Sequence, residues 1–190
     1  MDETLNETTA PLPEIDFGEA TPAPEPAPEA LERAKREAET GTPQLEKVGF
    51  YLSLTRRTGE RRAPANGESY AILVVEDDAD LAQLVIDIFM TAGFAVRWAA
   101  DRAEANRELH RAGIDLVLLD IVLPDADGLQ ILRRIREHPR LGDLPVIMMT
   151  GKVAPEDVLA GLAAGADGYV TKPFRMSGLV NAVNVVLGTA

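Results

Sequence analysis

The chain has 190 residues, a formal net charge of −12, 46% hydrophobic residues and no cysteine. The acidic balance argues against a phosphate-seeking surface, because nucleic-acid affinity rests on Lys and Arg neutralising phosphates. Lack of cysteine excludes disulfides, thiolate metal sites and cysteine nucleophiles. The start MDETLNETTAPLPEID lacks the basic and apolar regions of a secretory signal, and no apolar run nears the roughly 18 residues of a membrane span. The expectation is a soluble cytoplasmic protein.

In chain order, residues 1–30 contain no Lys or Arg and many Pro, as in PLPEIDFGEATPAPEPAPEA. So few large apolar residues cannot offset ordering entropy, and a disordered, partly polyproline-like segment is expected. EALERAKREAE (29–39) has good helix formers but one Leu, so any helix there is marginal alone. In QLEKVGFYLSL, Leu45, Val48 and Leu52 fit a helical stripe, while Phe50, Leu52 and Leu54 fit strand alternation. Its two readings are a segment folding back onto the neighbouring domain and a docking motif for another protein. TRRTGERR follows, with Arg56, Arg57, Arg61 and Arg62. A solvated linker is the simpler reading; a contact for an acidic or phosphorylated partner is the sharper one.

From Tyr70 the pattern becomes a strict strand and helix alternation, which divides the chain into an extension, 1–69, and a domain, 70–190. AILVV reads as a strand, and ADLAQLVIDIFMTAG as a helix with an apolar stripe at Leu81, Leu84, Val85, Ile88 and Phe89. FAVRWAA is a second strand, and DRAEANRELHRAG a charged helix that Asp101 can cap. IDLVLLD, DLPVIMMT and DGYVT supply three further strands. GLQILRRIREH, PEDVLAGLAAG and SGLVNAVNVVL supply three further helices, with Pro155 at a first helical position. Five such units with near-continuous apolar strands predict an α/β fold, a doubly wound parallel sheet with helices on both faces.

Ligands of open α/β sheets bind outside the carboxyl ends of the strands. The first strand ends on Glu76-Asp77-Asp78, the third on Asp120, the fourth on Thr150, and the fifth on Lys172 before Pro173. Two carboxylates about 4 Å apart repel by about 4 kcal/mol at an effective dielectric of about 20, so Glu76, Asp77 and Asp120 call for a cation. Hard oxygen donors without His or Cys suit Mg²⁺ or Mn²⁺ better than Zn²⁺. A divalent ion, an ammonium and a hydroxyl around an aspartate make a receptacle for a phosphoryl group. Asp78 reads as the cap of the first helix, Asp125 and Asp127 as turn and cap residues, and Met148 and Met149 as core. His110 and His138 read as surface residues. LPDADG fails the EF-hand pattern, because Arg134 would stand at its twelfth position, and Gly151-Lys152 lacks the first glycine of a P-loop.

VVEDD, LLDIVLPDADGL, VIMMTG and GYVTKPF, in that order, resemble the receiver domain of two-component response regulators over about residues 70–190. The resemblance implies a flavodoxin-like sheet of order 2-1-3-4-5. Asp120 would be the phosphoacceptor, supplied by a sensor histidine kinase or histidine phosphotransfer protein. It further implies Mg²⁺ held by Asp77, Asp120 and the Val122 carbonyl, with Glu76 on a coordinated water. Thr150 and Lys172 would contact the phosphoryl oxygens, Thr150 and Tyr169 would act as the switch, and Lys172-Pro173 would be a cis peptide. Val122 and Lys152 occupy positions that in this family tune dephosphorylation. No output domain is expected after Gly188-Thr189-Ala190. An aspartyl-phosphate phosphatase would want an acid where Val122 stands, and a phosphate-free scaffold does not need the intact acidic set. The fifth helix has no charged residue, which points either to a contact surface formed with helix four, including self-association, or to cover by LEKVGFYLSL.

Overall fold

The computed structural model describes residues 50–52, 63–65, 67–151 and 155–189, with isolated positions 28, 29 and 32. Most of the 1–69 extension, including the arginine cluster at 56–62, and Lys152 therefore lie outside the described residues.

Strand β1 (Phe50–Leu52) precedes β2 (Ala71–Val75), and helix α1 (Ala79–Thr91) leads to β3 (Ala95–Ala99). There follow α2 (Arg102–His110), β4 (Leu116–Asp120), α3 (Gly128–Glu137), β5 (Val146–Thr150), α4 (Pro155–Ala163), β6 (Gly168–Thr171) and α5 (Met176–Leu187). The sheet order is β1-β6-β5-β4-β2-β3. β2 to β6 pair in parallel in the expected 2-1-3-4-5 arrangement. One feature goes beyond the expected sheet: β1 adds a sixth strand, antiparallel to β6, with Tyr51 opposite Tyr169. Periodicity had left Phe50–Leu52 open between helix and strand; pairing to a distant edge decides it.

Alternation along the strands sends side chains to two cores. Leu73, Val75, Leu119 and Met148 face α2, α3 and α4, where Leu109, Ile131 and Leu162 pack. Ile72, Val74, Leu118 and Met149 face α1 and α5, where Phe89 and Val183 pack. The apolar stripe of α1 is narrower than the sequence suggested. Val85 and Phe89 are fully buried but Leu84 is 49% exposed, because it sits about 100° round the helix from Val85. His110 and His138 lie at the surface, partly covered, with His110 Nδ1 2.6 Å from the Asn106 carbonyl and His138 Nδ1 accepting from the Arg140 amide at 3.2 Å.

The helix starts follow the sequence. Asp78 accepts from the amides of Asp80 and Leu81 at 3.0 and 3.1 Å, Asp101 from Glu104 at 2.7 Å and Asp127 from Leu129 at 2.9 Å. Each satisfies amides the first turn leaves unpaired.

At the amino-terminal edge of the sheet, Arg136 of α3 holds the lower loops together. Its guanidinium donates to the carbonyls of Gly165, Gly142 and Leu144 and, at 2.8 Å, to Asp167, which is 1% exposed and also accepts from the Val146 amide. Removing one partner of such a pair strands a buried charge. Asp167→Ala is expected to lower stability by about 3 kcal/mol, read as a lower urea midpoint with an unchanged slope.

Candidate functional site

The carboxyl edge of the parallel strands gathers the acids the sequence placed there. β2 runs apolar to Val75 and leaves Glu76 and Asp77 beyond its end; β4, its neighbour, ends on Asp120. Carboxylate oxygens of Glu76, Asp77 and Asp120 lie within 4.8 Å of one another. Glu76 is 1% and Asp120 5% exposed, while Asp77 faces solvent. Two buried acids at this distance need a counter-charge. Lys172, just past β6, provides it: its ammonium donates to Asp120 Oδ2 at 2.6 Å and to Glu76 Oε2 at 2.7 Å.

These contacts shape the acidities. Burial pushes the Glu76 carboxyl above its ordinary value, aided by the charge of Asp120, and the bond from Lys172 does not fully offset it. Burial is also the strongest single influence on Lys172, pulling it down, but the combined bonds and charges of Asp120 and Glu76 hold the ammonium above the ordinary lysine value. Lys172 therefore stays charged at neutral pH.

Asp120 is oriented from a second side, since its Oδ1 accepts from the Val122 amide at 3.1 Å. Asp120 pairs in register with Met149, so Thr150 lies one residue beyond it on the adjacent strand, fully buried, and its carbonyl accepts from the Lys172 amide at 2.6 Å. Tyr169 is also fully buried, in the core beneath α4. The Lys172–Pro173 bond is cis. Val122, in contrast, presents a side chain 58% exposed beside Asp120.

A profile of the response regulator receiver domain matches residues 72–184. The chain belongs to that family. This receiver chain is 38% identical over 126 residues to the transcriptional regulatory protein GltR of Pseudomonas aeruginosa, covering 66% of this chain and 51% of GltR. It is 37% identical over 116 residues to the phosphate regulon transcriptional regulatory protein PhoB of Escherichia coli, covering 61% and 51%. The chain thus spans about half the length of the curated relatives it matches. Among solved structures, it resembles the chemotaxis protein CheY4 of Vibrio cholerae (TM-score 0.60, 29% identity, 63% of this chain and 99% of that one). The receiver domain of the Francisella response regulator 1452 is similar (TM-score 0.59, 29% identity, 63% and 97%). Receiver domains are signalling modules of two-component systems, with five parallel strands in the order found here. Among the described residues, no helix is long and apolar enough to cross a membrane.

Three supports of this receiver site escaped the sequence. The second parallel strand ends on Ala99-Ala100 with no functional side chain, yet β3 holds Glu76 by its backbone: the Trp98 indole donates to the Glu76 carbonyl at 2.9 Å and the Ala99 carbonyl accepts from the Glu76 amide at 3.1 Å. Asp125, read as a turn residue, accepts from the Arg102 amide at 3.1 Å and so ties the loop after Asp120 to the start of α2. Gly128 packs directly on the backbone of the acid-bearing strand; a Cβ there would lie 2.1 Å from the Asp120 carbonyl oxygen and 2.8 Å from Ile121 Cα. A glycine opening a helix gives no signal for such a contact, because the clash exists only in three dimensions. Gly128→Ala is expected to cost about 1–3 kcal/mol through forced backbone movement, measured by chemical denaturation. A stability equal to wild type would show that the loop yields freely.

Proposed function

We propose that the chain is a phosphoacceptor switch of a two-component phosphorelay, in which Asp120 takes a phosphoryl group from a phosphohistidine of a sensor kinase or histidine phosphotransfer protein. The observation that carries this is the Lys172 ammonium bonded at once to Asp120 and Glu76, which leaves a charged donor beside a nucleophile at the sheet edge. A carboxylate oxygen of Asp120 attacks phosphorus, the phosphorus–nitrogen bond of the donor breaks, and the imidazole leaves with a proton from solvent. Lys172 and Thr150 hold the phosphoryl oxygens, so charge developing on them meets fixed partners. The Val122 amide fixes the plane of the attacking carboxyl.

The clustered oxygens fit a hard divalent cation. Asp77, Asp120 and the Val122 carbonyl would hold Mg²⁺, with Glu76 on a coordinated water; when bound, the ion neutralises the phosphoryl charge. Thr150 and Tyr169 form the switch that reports phosphorylation to the surface. The readout is a changed surface for a protein partner, or for a second copy at α4 and α5. Residues 70–190 form the receiver unit and residues 1–69 an extension; the change of composition near residue 69 and the family match at 72–184 support that division. Cytoplasmic location fits a partner set of this kind.

Incubation with acetyl phosphate and Mg²⁺, followed by intact mass, is expected to add one phosphoryl group to wild type and none to Asp120→Ala. Omitting Mg²⁺ is expected to abolish labelling of wild type. Equal labelling of both proteins, or labelling indifferent to Mg²⁺, would refute the assignment.

A further inference from the structure

We infer that β1 is a strand held in cis over the edge of the switch, and that its pairing favours the unphosphorylated form of Asp120. The inference rests on the phosphoacceptor reading and adds to it a regulatory contact from outside the parallel sheet. β6 would otherwise be an edge strand with a row of unpaired backbone groups. Phe50, Tyr51 and Leu52 cover it, opposite Val170, Tyr169 and Gly168. The covered strand is also the one that delivers Lys172: Val170, the partner of Phe50, stands two positions before the lysine whose ammonium bonds Asp120 and Glu76.

Geometry links the two ends of β6. The Lys172 nitrogen sits 2.6 Å from Asp120 Oδ2, so no phosphorus and three oxygens can be added on that side while the ammonium stays in place. Lys172 must follow the new oxygens, and its main chain is itself tied to Thr150 by a 2.6 Å bond. Whatever part of that shift the torsions of the lysine stem do not absorb falls on the end of β6. Toward the interior β6 has little slack, because Tyr169 is fully buried and a Cβ on Gly161 of α4 would already come within 2.8 Å of its ring. The outer edge is the compliant side. There the ladder to β1 has three register pairs, against four or five between the parallel strands, and the least-paired element is the one whose opening costs least. β1 belongs to the same chain, so its re-pairing with β6 is intramolecular, which favours even a short ladder. By reciprocity, if phosphorylation loosens β1, then β1 opposes phosphorylation by the same factor.

Two measurements on the full-length chain test this. Hydrogen exchange at the amides of residues 50–52 and 168–170 is compared with and without acetyl phosphate and Mg²⁺, with Asp120→Ala as the unlabelled control. Exchange is expected to accelerate on labelling in wild type alone. In the second, Tyr51→Pro and Leu52→Pro are combined. Successive strand amides point to opposite sides, so two consecutive prolines remove one donor that faces β6 whichever register holds. The steady-state ratio of labelled to unlabelled chain is expected to rise about fivefold, the low end of ordinary coupling between sites. A melting temperature near wild type shows that the five parallel strands persist; if the variant unfolds, the exchange comparison decides. Labelling without any change of exchange at residues 50–52, or a folded variant with the wild-type ratio, overturns the inference and leaves the phosphoacceptor reading standing. A wild-type chain that takes no label overturns both.

Discussion

One ammonium bonds both buried acids at the carboxyl edge of this protein's sheet. Glu76 and Asp120 are withdrawn from water at the ends of two adjacent strands, and unpaired carboxylates in that position would cost several kcal/mol. Lys172 makes the arrangement tenable by bonding both. Its own charge is secured by the same acids, against the burial that opposes it. The pair of bonds spans three strands, since Glu76 follows β2, Asp120 ends β4 and Lys172 follows β6. A change of charge on Asp120 therefore acts directly on Lys172, which follows a strand two places away in the sheet.

The surrounding structure keeps that triad in place through its backbone. β3 holds the main chain of Glu76 from one side through Trp98 and Ala99. The loop after Asp120 is gripped by Gly128 beneath it and by Asp125 reaching to α2. Below, Arg136 and Asp167 close the opposite edge and fix where α3 and the start of β6 lie. The acidic end is thus carried on two cores and a buried ion pair, and the shortest ladder of the sheet is the one between β6 and its outer partner β1.

Much of this was legible in order along the chain. Apolar runs that stop on acids, a hydroxyl and a Lys-Pro pair named the strand ends, and the rule that α/β sheets bind ligands at their carboxyl edge brought them together. Asp78, Asp101 and Asp127 could be read as caps because capping is a contact across two or three residues. The stripe of α1 was only partly legible. Leu84 fits the periodic pattern but falls outside the buried arc, and how wide that arc is depends on the sheet beneath it, not on the helix.

The sequence by itself determined the alternation of elements, the two-faced sheet and the residue types at its carboxyl edge, because these follow from local periodicity and from where each strand must end. Tertiary structure decided what depended on distant partners. Trp98 became a support for Glu76, Asp125 a tie to the start of α2, Gly128 a seat for the Asp120 backbone, and Phe50–Leu52 a strand of the sheet. In each case the energy comes from a hydrogen bond or a close approach between residues separated along the chain. A pattern of neighbours does not contain such contacts.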